Sequence, residues 1–258
     1  MRQAEWSAEQ YLKFEDERTR PAKDLLAAVP VYEPGHVVDL GCGPGNSTAL
    51  LVERFSGAAI EGIDTSEDML AKARQRLPGC SFTMARIDEW QPSVPVGLLY
   101  ANASMQWLHD HETLFPQLMT CLENGGSLAI QMPDNLGEPA HLAMREVAAM
   151  DPWAQRLHPV SAARQPLPSA GRYYEMLKPF GRRVDVWRTI YHHPLAGIES
   201  IIDWFKGSAL APYLAALDEA ERKEFLAIYA GKLAEAYRVL EDGTVLLPFP
   251  RLFIVATR

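Results

Sequence analysis

The sequence predicts a doubly wound α/β fold: a mostly parallel, seven-stranded sheet with helices on both faces and a helical lid. Three observations carry this expectation. Short apolar runs alternate with helix-length amphipathic segments from residue 36 to 133, which is the pattern of right-handed βαβ crossovers. The first run, VVDL, ends in three glycines at alternate positions, Gly41, Gly43 and Gly45. A helical stretch then separates two late strands, the second being the closing segment TVLLPFPRLFIVATR.

The elements follow in order. VVDL is a buried first strand. Gly41, Gly43 and Gly45 let the backbone take positive φ and let a ligand approach the main chain. Asn46, Ser47 and Thr48 open a helix, NSTALLVERF, whose free amides face the same ligand. AAIEGID is the second strand and ends at Asp64. Thr65 or Ser66 caps the next helix, with Asp68 placed three residues after Thr65 as in a capping box. Met69, Leu70 and Leu77 have helical spacing, and Pro78-Gly79 stops the helix. CSFTMARI and VGLLYAN are the third and fourth strands. A helix from about Asp110 buries Leu114, Leu118, Met119 and Leu122 and ends at Asn124-Gly125-Gly126. SLAIQM is the fifth strand.

Beyond it the pattern changes. Residues 134–170 are rich in Pro, His and Arg and poorly periodic. GRYYEMLKPFG reads as a helix and RRVDVWRTIYHH as the sixth strand. Residues 196–240 are helical, with Phe225, Tyr229, Leu233, Tyr237 and Leu240 recurring at helical spacing behind a cap at Asp218 and Glu221. In the final strand Pro248 and Pro250 argue for an edge or an irregular start. The expected organisation is a single domain over 1–258: a helical cover over 1–30, a ligand-binding core over 31–133, and a substrate-side half over 134–258 with its insertion at about 196–240.

Composition narrows the function. The chain has 258 residues, 48% of them hydrophobic, and a formal net charge of −8. That balance argues against a general nucleic-acid or anionic-membrane surface. Cys42, Cys80 and Cys121 are odd in number and far apart, with no disulfide or zinc spacing, which favours a reducing, cytoplasmic setting. The polar N-terminus lacks a signal core, and no apolar run approaches the roughly 20 residues of a membrane helix. His192-His193 has no matching carboxylate or cysteine spacing, so no metal is expected. A monomer is compatible with these features.

The glycine turn points to a particular ligand. In the dinucleotide fingerprint G-x-G-x-x-G the third glycine comes one residue later than here. Asp39 puts a negative charge at the strand end, which suits a ligand bearing a cation better than a pyrophosphate. Asp64 lies 23 residues after Gly41, where an acid after the second strand takes ribose hydroxyls.

With the motifs VDLGCGPGN and IEGIDTSEDML, the sequence resembles the class I S-adenosylmethionine-dependent methyltransferases, whose sheet is Rossmann-like. The segments WSAEQYLKFEDERTRPAKDLL, YANASMQWLHD, ENGGSLAIQMPDN and FPRLFIVATR look like the trans-aconitate methyltransferases among them, over nearly the whole chain. The resemblance implies S-adenosylmethionine as cofactor, held by Tyr11, Arg20, Asp39, Gly41, Cys42, Gly43, Asp64, Thr65, Ile87 and Asn102. It implies a small polycarboxylate substrate, positioned without a general base by Trp107, Arg251 and His193. Further candidates for its charges are Arg18, Arg20, Arg164, Arg172, Arg188 and His192. Trp6, Tyr11, Trp107 and Trp204 are candidates for an aromatic lid, with core packing the alternative for each. Arg86 stands where such enzymes commonly carry an acid for the adenine amino group, with Asp88 two residues on. Adenine recognition is therefore expected from the backbone around Ile87 and from apolar packing. Asn102-Ala103-Ser104-Met105 also lacks the Asn-Pro-Pro-aromatic pattern of amino-group methyltransferases. The remaining alternatives are another small or carrier-bound free acid, a cofactor-binding module without catalysis, and a nicotinamide-dependent oxidoreductase.

Overall fold

The computed structural model describes residues 15–30 and 33–258. Expectations for Trp6, Tyr11, Phe14 and the Arg18 side chain lie outside the described residues. The first part of the chain forms α1 (Glu15–Ala28), β1 (His36–Leu40), α2 (Asn46–Arg54), β2 (Ala59–Asp64), α3 (Glu67–Arg76), β3 (Ser81–Met84), β4 (Val96–Asn102), α4 (His111–Thr120) and β5 (Leu122–Pro133). The remainder forms α5 (Pro139–Ala148), α6 (Ala154–Ala162), α7 (Ala170–Leu177), β6 (Arg183–Ala196), α8 (Ile198–Lys206), α9 (Ala211–Ala215), α10 (Glu219–Ala236) and β7 (Thr244–Thr257).

One sheet holds all seven strands, in the order β3-β2-β1-β4-β5-β7-β6. The pairs β1–β2, β1–β4, β2–β3 and β4–β5 are parallel. Strand β7 runs antiparallel to β5, from Pro133↔Arg251 to Ser127↔Thr257. The chain leaves β1 toward β2 and β3, then crosses back to β4 on its other side. Ligands in open α/β sheets bind at such a switch point, beyond the carboxyl ends of the strands. Here that place is flanked by the glycine turn after Leu40 and by Asn102.

Two compact units divide the described chain. The first comprises 18–133, 167–189 and 251–258. Val38, Leu40, Leu99, Ile130 and Ile254 form the middle of its core with Phe115 and Tyr173. Segments 167–189 and 251–258, which the sequence reading assigns to the substrate-side half, fall in this unit. The reasons are local: residues 251–257 pair with β5, and Tyr173 of α7 packs on His111 and Phe115 of α4. Helix α1 is tied into the same unit by Tyr100 Oη, which donates to Ala22 O at 2.6 Å, and by Arg54 on the carbonyls of Leu26 and Val29.

The second unit includes 134–166 and 190–250. Its core gathers Trp153, Ile201, Trp204, Phe205, Phe225, Tyr229 and Leu233. Asp218 accepts from Glu221 N and the Glu221 carboxylate accepts from Asp218 N, each at 2.9 Å, which closes the expected capping box of α10.

Three details differ from the sequence reading. Residues 134–170 hold two helices; α5 buries Ala140, His141, Ala143, Met144, Val147 and Ala148, a stripe disguised by alanines and a histidine. Strand β5 begins at Leu122, and its Asn-Gly-Gly segment is a bulge opposite Gly97 rather than a helix stop. A Cβ on Gly126 would lie 2.8 Å from Val96 O, so only glycine fits there. As expected, Pro248 and Pro250 fall in an irregular start of β7: although the strand lies between β5 and β6 in the sheet, its β5 pairing begins only at Arg251. Helix α10 stops at Ala236, where Tyr237 turns extended and accepts from Ala140 N at 3.1 Å. Leu240 is consequently off the helix and exposed. No helix among the described residues is long and apolar enough to cross a membrane.

Candidate functional site

The turn after β1 is built by two different demands on glycine. A Cβ on Gly41 (φ +78) would sit 2.4 Å from Ser104 Cβ, because the loop after β4 lies directly on it. Ser104 Oγ fastens that contact by donating to Leu40 O at 2.6 Å. Gly43 (φ +52) has no atom of the described residues within 4 Å of its would-be Cβ. It presents bare backbone to open space, the condition for a ligand to reach the main chain. Cys42 turns the other way: its Sγ packs 2.9 Å from the place where Gly62 lacks a Cβ. Burial and the neighbouring Asp39 and Asp64 push its thiol far up, so it stays protonated.

Two carboxylates flank the turn. Asp64 accepts from Gly43 N and Ser66 N, each at 2.9 Å, one on each oxygen. The amides fix the group while leaving each oxygen acceptor capacity for hydroxyls. Ser66, not Thr65, caps α3, accepting from Met69 N; Thr65 is exposed. Asp39 is fully buried, and Ser47 and Thr48 hydroxyls both donate to its Oδ2 at 2.7 Å. Its Oδ1 is buried with no hydrogen-bond partner among the described residues. Burial raises this carboxyl to about 6, against the two hydroxyl bonds and with added repulsion from Asp64. From the sequence, Ser47 and Thr48 read only as a helix start. The signal for more is that a buried acid one strand-end away needs donors.

A buried relay defines the third side. Arg251 Nη1 donates to Gln131 Oε1 at 2.8 Å, and Gln131 Nε2 donates to Asn102 Oδ1 at 2.6 Å. A guanidinium has no acceptor, so it dictates the orientation of both amides in turn. Asn102 must point its oxygen inward, leaving its amide nitrogen to donate at the carboxyl end of β4. Gln131 was not among the sequence candidates; its trace is one polar residue inside the apolar run LAIQM. Next to Asn102, Ala103 holds φ 56, where a side chain is strained. Its N–H donates to Gln131 O at 2.8 Å and its carbonyl accepts from Gln106 Nε2 at 2.6 Å.

The loop continues into a short 3₁₀ turn, Met105–Trp107. Trp107 is half exposed there, at 53%. His111 holds the turn from below: Nε2 donates to Met105 O at 2.9 Å, so Nδ1 accepts from Tyr173 Oη at 2.7 Å. Burial lowers the His111 pKa.

The first unit thus brings Asp39, Gly41, Cys42, Gly43, Asp64, Ile87, Asn102 and Arg251 to one end of β1, β2, β4 and their neighbours. Ile87 Cδ1 lies 3.6 Å from the would-be Gly41 Cβ. Arg86 is exposed and paired with Asp88 at 2.5 Å and Glu89 at 3.0 Å. Arg20 is exposed, 4.0 Å from Asp24 on α1. Arg172 is spent on Glu112, with bonds of 2.7 and 2.6 Å, and on Glu175. Arg188 and His192 are exposed. His193 belongs to the second unit, buried and stacked on Trp204 at 4.6 Å beside Phe249. Trp204 is 2% exposed, so core packing is its role. His192 and His193 alternate on β6 and point apart. Among the described residues no group of three His, Cys, Asp or Glu is placed to hold a metal ion.

A family profile described as a methyltransferase domain matches residues 37–126. The chain is similar to the trans-aconitate 2-methyltransferase of Rhodopseudomonas palustris strain HaA2, with 52% identity over 255 residues, 99% of this chain and 100% of that protein. The protein of the same name from Rhizobium leguminosarum bv. trifolii strain WSM2304 is 53% identical over 253 residues, 98% of this chain and 99% of the relative. In fold the chain is similar to the YcgJ protein of Bacillus subtilis, with a TM-score of 0.62 at 10% identity, over 93% of this chain and 98% of that one. It is also similar to Haemonchus contortus phosphoethanolamine N-methyltransferase 2 in complex with S-adenosyl-L-methionine, with a TM-score of 0.55 at 15% identity, over 92% and 52% of the two chains. At those identities the likeness is one of fold.

Proposed function

The chain belongs to the trans-aconitate 2-methyltransferase family, and on that premise we propose that it transfers a methyl group from S-adenosylmethionine to a carboxylate of trans-aconitate, giving a monomethyl ester. The observation that carries the reading is identity above half along the entire chain, 52% over 255 residues, to enzymes named for that substrate.

The described residues fit the cofactor. Gly43 leaves the turn open on its ligand side, Asp64 keeps acceptors for two ribose hydroxyls, and Asp39 has one unsatisfied buried oxygen. A cation near Asp39, in direct contact or through water, would offset the burial that raises its carboxyl; the amino-acid end of the cofactor carries one. When bound, S-adenosylmethionine supplies a methyl group activated by its cationic sulfur. Ile87 and the backbone around it supply the apolar floor expected for the adenine, with Arg86 committed to Asp88 and Glu89.

A carboxylate acceptor, with a reference pKa of roughly 4, is already ionised at neutral pH and needs no general base. The chain's task is then alignment and exclusion of water. Asn102 is the residue suited to it, because the relay makes it a donor, and a donor meets carboxylate oxygens. Arg251 acts through Gln131 as a positioning residue. Trp107, half exposed in the 3₁₀ turn that follows Ala103, is a further candidate to shield the acceptor from water. Mass spectrometry of trans-aconitate after incubation with enzyme and S-adenosylmethionine tests the reading. A monomethyl ester is expected, and an unchanged acid beside methylated amines or alcohols would overturn it.

A further inference from the structure

Polar side chains gather in the second unit that the cofactor site leaves unused. Asp134 and Asn135 follow β5 directly. His141 and Arg145 stand one turn apart on α5, and so share a face. Arg145 Nη2 donates to Leu136 O at 2.7 Å, which folds the guanidinium back over the loop that carries Asp134 and Asn135. Arg164 lies just past α6, half-buried, its charge facing Asp134 and reinforced by Arg145.

Two buried atoms here retain hydrogen-bonding capacity. Among the described residues His141, 5% exposed, has no partner for its Nε2, and Asn135, 2% exposed, has none for its Oδ1. Buried polar atoms are nearly always paired in native folds. The His141 ring is also held in place, edge-on to Phe205 at 5.0 Å. Burial and the two arginines push its pKa down to about 3, so the ring is neutral and its Nε2 is a hydrogen-bond donor in one tautomer. Half a turn of the last Asn135 bond presents N–H groups in place of the oxygen.

We propose that His141, Asn135, Arg145 and Arg164 form a carboxylate-binding site within the second unit, taking one carboxylate group of a small organic acid. Flat guanidiniums suit a carboxylate's two oxygens, and the two orphaned polar atoms of His141 and Asn135 call for a polar partner. The choice of an organic acid over another anion rests on the acid-methylating reading of the chain.

The test uses the full chain without methyl donor. Tricarballylate, a saturated tricarboxylate, is titrated into protein labelled with ¹⁵N-histidine, at constant ionic strength. The His141 Nε2 resonance is expected to move saturably. Arg145→Gln and Asn135→Asp are expected to weaken tricarballylate binding at least tenfold by calorimetry. Both variants should keep the parent's affinity for S-adenosylhomocysteine and its melting temperature. An unmoved His141 resonance, an equal shift with sulfate, or parent-like binding in both variants overturns the site. The two readings fail separately. Acid methylation with an unmoved His141 removes the site alone, whereas a saturable shift in a protein that methylates no acid keeps the site and removes the reaction.

Discussion

Replacing Gln131 with glutamate reverses the amide relay without changing its shape. Arg251 still donates to the new side chain, now with charge on both partners, so the buried pair is kept. Toward Asn102, however, the glutamate offers only an acceptor, where Gln131 donates at 2.6 Å. Asn102 must then turn its amide over, donate inward and present its oxygen at the end of β4. The ligand side loses a donor to a charged group, worth about 1.5–3 kcal/mol, which is roughly 10- to 140-fold in kcat/KM. Radiolabelled methyl transfer to trans-aconitate measures the loss, and thermal unfolding checks that the fold persists. Asn102→Ala supplies the control: in its background Gln131→Glu should cost nothing further, since no amide is left to turn. If Gln131→Glu keeps kcat/KM within twofold of the parent, the relay does not orient a working Asn102, and Arg251 acts in some other way.

Three further outcomes are expected. Asp64→Ala should weaken S-adenosylhomocysteine binding by roughly 1–3 kcal/mol, the cost of lost hydrogen bonds to a charged group; unchanged calorimetric affinity would refute the ribose assignment. Asp39 carries a folded-state pKa raised to about 6 by burial, above an unfolded value of about 3.9. Its contribution to stability is therefore complete below about pH 4 and fades as pH rises through 6, by about 3 kcal/mol for a gap of two pH units. Asp39→Asn should lose this pH dependence in urea unfolding of the ligand-free protein, and equal pH slopes in both proteins would count against the half-satisfied carboxylate. Arg86→Ala should change S-adenosylhomocysteine affinity less than threefold, because Arg86 is exposed and engaged with Asp88 and Glu89; a tenfold loss would reveal a direct role.

The strands around the cofactor site are legible because each is a short apolar run closed by a turn signal, and strand β4 spans the residues expected of it, Val96–Asn102. Asp64 and the glycines are legible because their spacing is local. The relay is not: Gln131 and Arg251 are 120 residues apart in sequence, and meet only through the antiparallel pairing of β5 and β7. Arg251 drew notice as a charge in an apolar strand, but its partner could not be read from one chain position at a time. The same holds for Asp39, whose donors Ser47 and Thr48 look like ordinary helix openers until the strand end is buried against them. Helix α5 escaped because alanines and His141 occupy its inner face, where periodicity searches look for large apolar groups. Arg172 was misleading for a simpler reason: a lone arginine does not announce the two glutamates that neutralise it.

The central claim is that this chain methylates carboxylates of a small polyacid. The most direct measurement is transfer of label from S-adenosylmethionine with a tritiated methyl group to a panel containing trans-aconitate, other free acids, amines and alcohols. Methyl esters release volatile methanol in base, whereas N-methyl and ether products do not. Base-labile label that depends on trans-aconitate and exceeds that from every amine and alcohol tested is the expected result. Base-stable label, or preference for a neutral acceptor, would contradict it.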